Sequence, residues 1–228
     1  RSSKDETSEL KTGYSIFDAS MQGFRPGEIN ILAARPSVGK TALALNFLVR
    51  VSQRTKKPCV FFSLEMGIDR VTDRILSSTS GVPMKKIQRM NYSKEEAECL
   101  SKAMRSLEEC NLFFDETPAI KVASIRAKLN NLQSRYNSEI GLVVIDYLQL
   151  IDASAKYQGA RQQEISEISR KLKTMALELE VPVIALSQLS RNVEKREDKK
   201  PMLSDLRESG AIEQDADIVA ALHAPDAD

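Results

Sequence analysis

No apolar run in the sequence approaches the roughly 18 residues of a membrane-spanning helix, so neither a membrane span nor a membrane partner is expected. The opening residues, Arg1-Ser2-Ser3-Lys4-Asp5-Glu6, carry no apolar signal core, and secretion is unsupported. There is one histidine, His223, which reads as an exposed or satisfied strand residue and not as a ligand. The three cysteines, Cys59, Cys99 and Cys110, are odd in number and lack metal-ligand spacing. That usage suits a reduced, cytoplasmic setting. Cys59 falls in an apolar strand pattern and reads as a small core residue. A formal net charge of +1 announces no nucleic-acid binder, so any such site must be local. Internal repeats and low-complexity tracts are absent too.

What remains is an ordinary globular composition, 42% hydrophobic and 29% charged, in 228 residues. That length suits one large α/β domain with a full core. Residues 1–12 are polar and are expected to form a linker or tail. The domain is expected over residues 13–228. Arg25-Pro26-Gly27-Glu28 has Pro and Gly at the central positions of a type II turn, leading into a strand that begins at Ile29. Further strands are expected at Cys59–Leu64, Leu112–Asp115, Leu142–Ile145, Val183–Leu186 and Ile218–Leu222. Helical periodicity is expected near Lys40–Arg54, Ile68–Ser80 and Lys94–Glu108, then through Ile125, Leu129, Leu132 and Tyr136. Ile165, Ile168, Leu172, Met175 and Leu179 mark one face of a long helix. Strands alternating with helices predict a doubly wound, mainly parallel sheet of the P-loop NTPase kind. Ligands bind such sheets beyond the carboxyl ends of the strands.

The segment Ala33-Ala34-Arg35-Pro36-Ser37-Val38-Gly39-Lys40-Thr41 lies between the first strand and the first long helix. Backbone N–H groups of Ser37, Val38, Gly39, Lys40, Thr41 and Ala42 would face the phosphates of a nucleotide such as ATP, aided by the helix dipole. Lys40 would reach the β- and γ-phosphates, and the Thr41 hydroxyl would hold Mg²⁺. Ala34 occupies the usual first glycine of the motif, so no positive φ is needed there. Pro36 stiffens the loop. Asp146 ends an aliphatic strand and would bind Mg²⁺ through water. Glu65 follows a neighbouring strand and is the best candidate to orient or deprotonate the attacking water, with Asp115 and Glu116 as rivals. Gln188, at another strand end, either hydrogen-bonds a γ-phosphate or forms a turn. Arg191 to Lys200 holds five basic and three acidic residues, a local charge of +2 that suits a solvated loop.

Taken together, Ala33 to Thr41, Phe62-Ser63-Leu64-Glu65-Met66, Val144 to Leu150, Leu186 to Arg191 and Ser204 to Asp217 resemble the DnaB-type replicative DNA helicases, in order and over about Thr12 to Ala221. Ala34 is usual in that family, and Val38 replaces its commoner methionine. The resemblance implies a RecA-like motor in a homohexameric ring that moves 5′ to 3′ on single-stranded DNA, with primase and a helicase loader as partners. It assigns Lys40, Glu65 and Gln188 to catalysis and γ-phosphate sensing, and Thr41 and Asp146 to the metal. Arg207, Glu208 and Gly210 would follow the DNA backbone, and the loop from Ala153 to Gln163 would face the central channel. The family's amino-terminal collar and its downstream basic segment with an arginine finger are not expected in these residues, which would make the chain part of a longer protein. Two other readings stay open. A nucleotide-switched interaction module is disfavoured by Glu65 and Asp146. A recombination-type or clock-type RecA relative is disfavoured by the Ser204 to Gln214 run.

Overall fold

In the computed structural model the described residues are 10–153, 160–196, 198–206 and 210–224. Six strands form one sheet in the order β3-β2-β4-β5-β1-β6: β1 (Ile29–Ala34), β2 (Cys59–Ser63), β3 (Leu112–Asp115), β4 (Leu142–Asp146), β5 (Val183–Gln188) and β6 (Ile218–Ala221). Every pairing is parallel, as the alternation of strands and helices predicts. The connecting helices are α1 (Ser15–Met21), α2 (Lys40–Thr55), α3 (Ile68–Ser80), α4 (Met84–Gln88), α5 (Lys94–Glu108), α6 (Val122–Tyr136), α7 (Arg161–Leu179) and α8 (Gly210–Asp215).

The strands are apolar on both faces because each face is covered. Ile29, Ile31, Val143, Ile145, Val183 and Ala185 pack with Ile125 and Leu129 of α6 and with Ile165, Ile168 and Leu172 of α7. Their alternates along the strands, Leu32, Leu142, Val144, Ile184 and Leu186, pack with Leu45, Leu48 and Val51 of α2 and with Val71 and Ile75 of α3. The period of two along each strand therefore divides the core into two layers. Cys59 sits in the second layer, fully buried, as its apolar setting predicts.

Gly27 takes φ +79°, and Glu28 N–H donates to the Arg25 carbonyl at 3.2 Å, closing the expected type II turn before β1. Packing begins earlier than the polar tail suggests. Leu10 bridges Phe24, and the buried Thr12 donates its backbone N–H to Asp18 at 2.6 Å. These contacts tie residues 10–12 to α1 and to Phe24 beyond it, so this part of the predicted linker lies on the domain.

Register fixes what the sheet presents at its carboxyl edge. Ala34 lies beside Gln188, and Ser63 lies beside Asp146. Leu64 N–H donates to the Asp146 carbonyl at 2.8 Å, extending β2 to the residue before Glu65. The ends of β1, β2, β4 and β5 thus converge on one rim.

Candidate nucleotide site

Between β1 and α2 the backbone turns through two left-handed residues, Ser37 at φ +68° and Gly39 at φ +103°. A Cβ at Gly39 would meet nothing within 4 Å, so glycine is required by the backbone conformation and not by space. Ser37 adopts the left-handed region without that freedom, at a cost of about 1–2 kcal/mol. Ala34 remains in the β ladder, which explains why alanine serves there. Lys40 and Thr41 open α2, whose N-terminal backbone groups point out of the rim.

Thr41 Oγ1 donates to Asp146 Oδ2 at 2.7 Å. Lys40 Nζ lies 3.7 Å from Asp146 Oδ1 and 5.0 Å from the centre of the Tyr147 ring. Burial holds the Lys40 ammonium below the ordinary lysine range, against the opposing pull of the Asp146 and Glu65 carboxylates. Asp146 is 1% exposed, and its Oδ1 has no hydrogen-bond partner. A buried carboxylate oxygen in that state favours a cation. Among the described residues no cluster of three or more His, Cys, Asp or Glu could enclose a metal ion. One hydroxyl and one carboxylate instead suit Mg²⁺, which is commonly held by one or two carboxylates together with substrate phosphates.

A cavity of about 460 Å³ opens beside Lys40 and Thr41. Ala34 to Ser37, Gly39, Lys40, Thr41, Glu65, Met66, Arg74 and Gln188 line it. The structure thereby separates Glu65 from its rivals. Asp115 is engaged by Lys128, which together with hydrogen bonding from Thr117 keeps it below the usual carboxylate range despite burial. Glu116 Oε2 accepts the Ile68 N–H at 3.0 Å. Val38 flanks the loop and faces a neighbouring cavity with Ser37. Ala42 is in the first turn of α2.

The predicted DNA-contacting residues Arg207 and Glu208 lie outside the described residues, as do residues 154–159 of the predicted channel loop. Gly210 is the first residue of α8. The basic stretch after Arg191 is not simply a solvated loop. Residues Arg191–Lys195 form a short 3₁₀ turn, and Arg196 pairs with the buried Asp205. That partner holds the Asp205 carboxyl below the usual carboxylate range. His223 is exposed, two residues past β6.

Three residues at the site escape a reading by strand ends. Arg74 reaches the cavity from α3, Tyr147 underlies Lys40, and Arg35 turns away from the phosphates to Glu194. A cation inside the phosphate loop and an aromatic residue directly after Asp146 are the available signals.

The chain is similar over 223 residues, at 48% identity, to the replicative DNA helicase DnaC of Bacillus subtilis, covering 98% of this chain and 49% of that protein. It spans about half the length of the curated relatives it matches. Among solved structures it is similar to a DnaB-like replicative helicase described with its interactions with primase (TM-score 0.89, 39% identity, 95% of this chain and 52% of that one). A second solved structure, described as an ATPase domain, is comparably similar (TM-score 0.88, 39% identity, 94% of this chain and 76% of that one). The model of the DnaB-like helicase C terminal domain matches residues 9–228, and the chain belongs to that family.

Proposed function

We propose that this chain is the ATP-hydrolysing motor of a replicative DNA helicase, working in a homohexameric ring that moves 5′ to 3′ on single-stranded DNA and separates duplex. The observation that carries the reading is the convergence of Lys40, Thr41, Glu65 and Gln188 on one cavity at the rim that Asp146 closes. The names of the relatives support it. Primase is the partner suggested by the structure described with it, and the family resemblance adds a helicase loader as second partner and the cytoplasm as working compartment.

In this reading the N–H groups from Ser37 to Ala42 hold the phosphates, and Lys40 moves from Asp146 toward the γ-phosphate. Thr41 and Asp146 would hold Mg²⁺, which when bound neutralises charge developing on the phosphates. Glu65 orients and deprotonates the attacking water. Gln188 donates its amide to the γ-phosphate and loses that bond on hydrolysis, which marks the nucleotide state at the end of β5. Arg207, Glu208 and Gly210 follow the DNA backbone.

The test is ATP turnover of the full-length protein with and without single-stranded DNA, beside Glu65→Gln. Strong stimulation by DNA that the variant loses supports a translocating motor. DNA-indifferent, negligible turnover in both would instead favour a nucleotide-switched module.

A further inference from the structure

Arg35 sits within the phosphate loop and lines the cavity, yet its guanidinium is bonded to Glu194 and to the Leu189 carbonyl. Its Nε donates to Glu194 Oε1 at 2.8 Å, and an N–H of its other arm donates to the Leu189 carbonyl at 2.8 Å. The same Leu189 donates its own N–H to the Ala34 carbonyl at 3.0 Å. The peptide after Gln188 is therefore clamped on both sides by two consecutive residues of the phosphate loop. Leu189 then bridges Leu206, and Ser190 N–H donates to the Asp205 carbonyl at 2.8 Å. Arg196 holds the Asp205 carboxylate. A continuous set of bonds runs from the phosphate loop to Leu206, the residue before Arg207.

Stability accounts for only one half of this arrangement. Glu194 is 55% exposed at its side chain, and pairs with such a partner contribute little to folding. The bond to Leu189 is different, because that residue is buried and the donor is charged. Pro36 lies between Arg35 and Ser37, with φ fixed by its ring. A displacement of Ser37 on phosphate binding passes to Arg35 with little slack.

We infer that Arg35 is a positioning residue that couples phosphate occupancy to DNA affinity, by carrying loop movement through Leu189 and Glu194 into the 189–206 segment. This rests on the proposed DNA role of Arg207 to Gly210. Coupling of this kind is a difference in one ligand's affinity caused by another, and it is read as the ratio of DNA affinities in two nucleotide states.

The experiment measures affinity of the full-length protein for a fluorescent oligodeoxythymidylate with a non-hydrolysable ATP analogue and with ADP, at saturating nucleotide. Wild type, Arg35→Gln, Glu194→Gln and the double variant are compared, with nucleotide affinity and thermal midpoint recorded for each. The wild-type ratio between the two states is expected at about tenfold or more. In Arg35→Gln it should fall to within about threefold of unity, with Glu194→Gln part-way. The double variant should be no worse than Arg35→Gln, since both changes break one connection. A merely structural role would weaken DNA binding equally in both states and leave the ratio intact, which overturns the inference while the motor reading stands. A wild-type protein that binds no DNA in either state overturns both.

Discussion

Thr41 and Asp146 are 105 residues apart in sequence and joined by a 2.7 Å hydrogen bond across the gap between α2 and β4. The bond exists because parallel pairing sets β4 near the middle of the sheet, with its carboxyl end facing the start of α2. It leaves the second Asp146 oxygen buried and without a hydrogen bond, with the Lys40 ammonium 3.7 Å away, a setting that favours positive charge.

Asp146→Asn keeps an acceptor for Thr41 and removes the charge. Mg²⁺-dependent ATP turnover should fall by about a hundredfold or more, the range expected when several kcal/mol of metal-based stabilisation are lost. Nucleotide binding measured in EDTA should change little. Steady-state turnover beside equilibrium binding of a fluorescent ADP analogue checks both halves, and a fall in metal-free binding as large as the fall in turnover would contradict the assignment.

Lys40 gives the site a pH dependence with a definite sign. Burial lowers its pKa in the free protein, and bound phosphate raises it again, so binding is accompanied by proton uptake between those two values. Nucleotide affinity should decline as pH rises through that window, which opens below 10.5. Lys40→Met should bind more weakly and lose the alkaline decline. Calorimetry in two buffers of different ionisation enthalpy, from about pH 7 to about pH 10, reads the proton directly; release in place of uptake would refute the account.

The thiols should react in order of exposure. Burial pushes the Cys59 thiol up to about 12, so almost no thiolate exists near neutrality. Cys99 is exposed on α5, and Cys110 is half-buried with its pKa raised by burial. With a maleimide near pH 8, peptide mass spectrometry should find Cys99 modified first, Cys110 more slowly, and Cys59 only after denaturant is added. Modification of native Cys59 at the rate of Cys99 would mean that the second core layer opens far more often than its packing suggests.

Long periodic elements and strand ends are legible in the sequence because each is encoded within a few residues. α3 and α5 begin and end where the sequence pattern places them, and Asp146 closes its strand. α1 is not legible in this way. Its seven residues give no clear period, Ile16 is 79% exposed, and its place is set by Phe47 on another helix. Strand order is hidden too, since strands apolar on both faces carry no label for their neighbours. The same limit hides the tie between Arg35 and Glu194, separated by 159 residues and embedded in a charge run. The contacts of Asp115 with Lys128 and of Glu116 with the Ile68 N–H are hidden in the sequence for the same reason.

Phe47 is the test of how residues 10–24 are held. Its ring is 2% exposed and meets Tyr14 at 5.6 Å, Phe17 at 5.2 Å and Phe24 at 5.5 Å, each nearly edge-on. Such pairs add about 0.5–1.5 kcal/mol each beyond the area they bury. Arg50, one turn further along α2, stacks its guanidinium on Tyr14 at 4.1 Å and donates to the Gly13 carbonyl at 2.6 Å. Most of the apolar contact nonetheless centres on one side chain. Phe47→Ala should destabilise the protein by about 3–5 kcal/mol, and Phe47→Leu by a smaller amount because more of the volume is kept. Urea unfolding gives the size of the change. Limited proteolysis gives its place, since cleavage between Leu10 and Arg25 should rise in Phe47→Ala before the sheet unfolds. A loss under about 1 kcal/mol with no new cleavage would show that Asp18 and the Leu10–Phe24 bridge hold this segment without the rings.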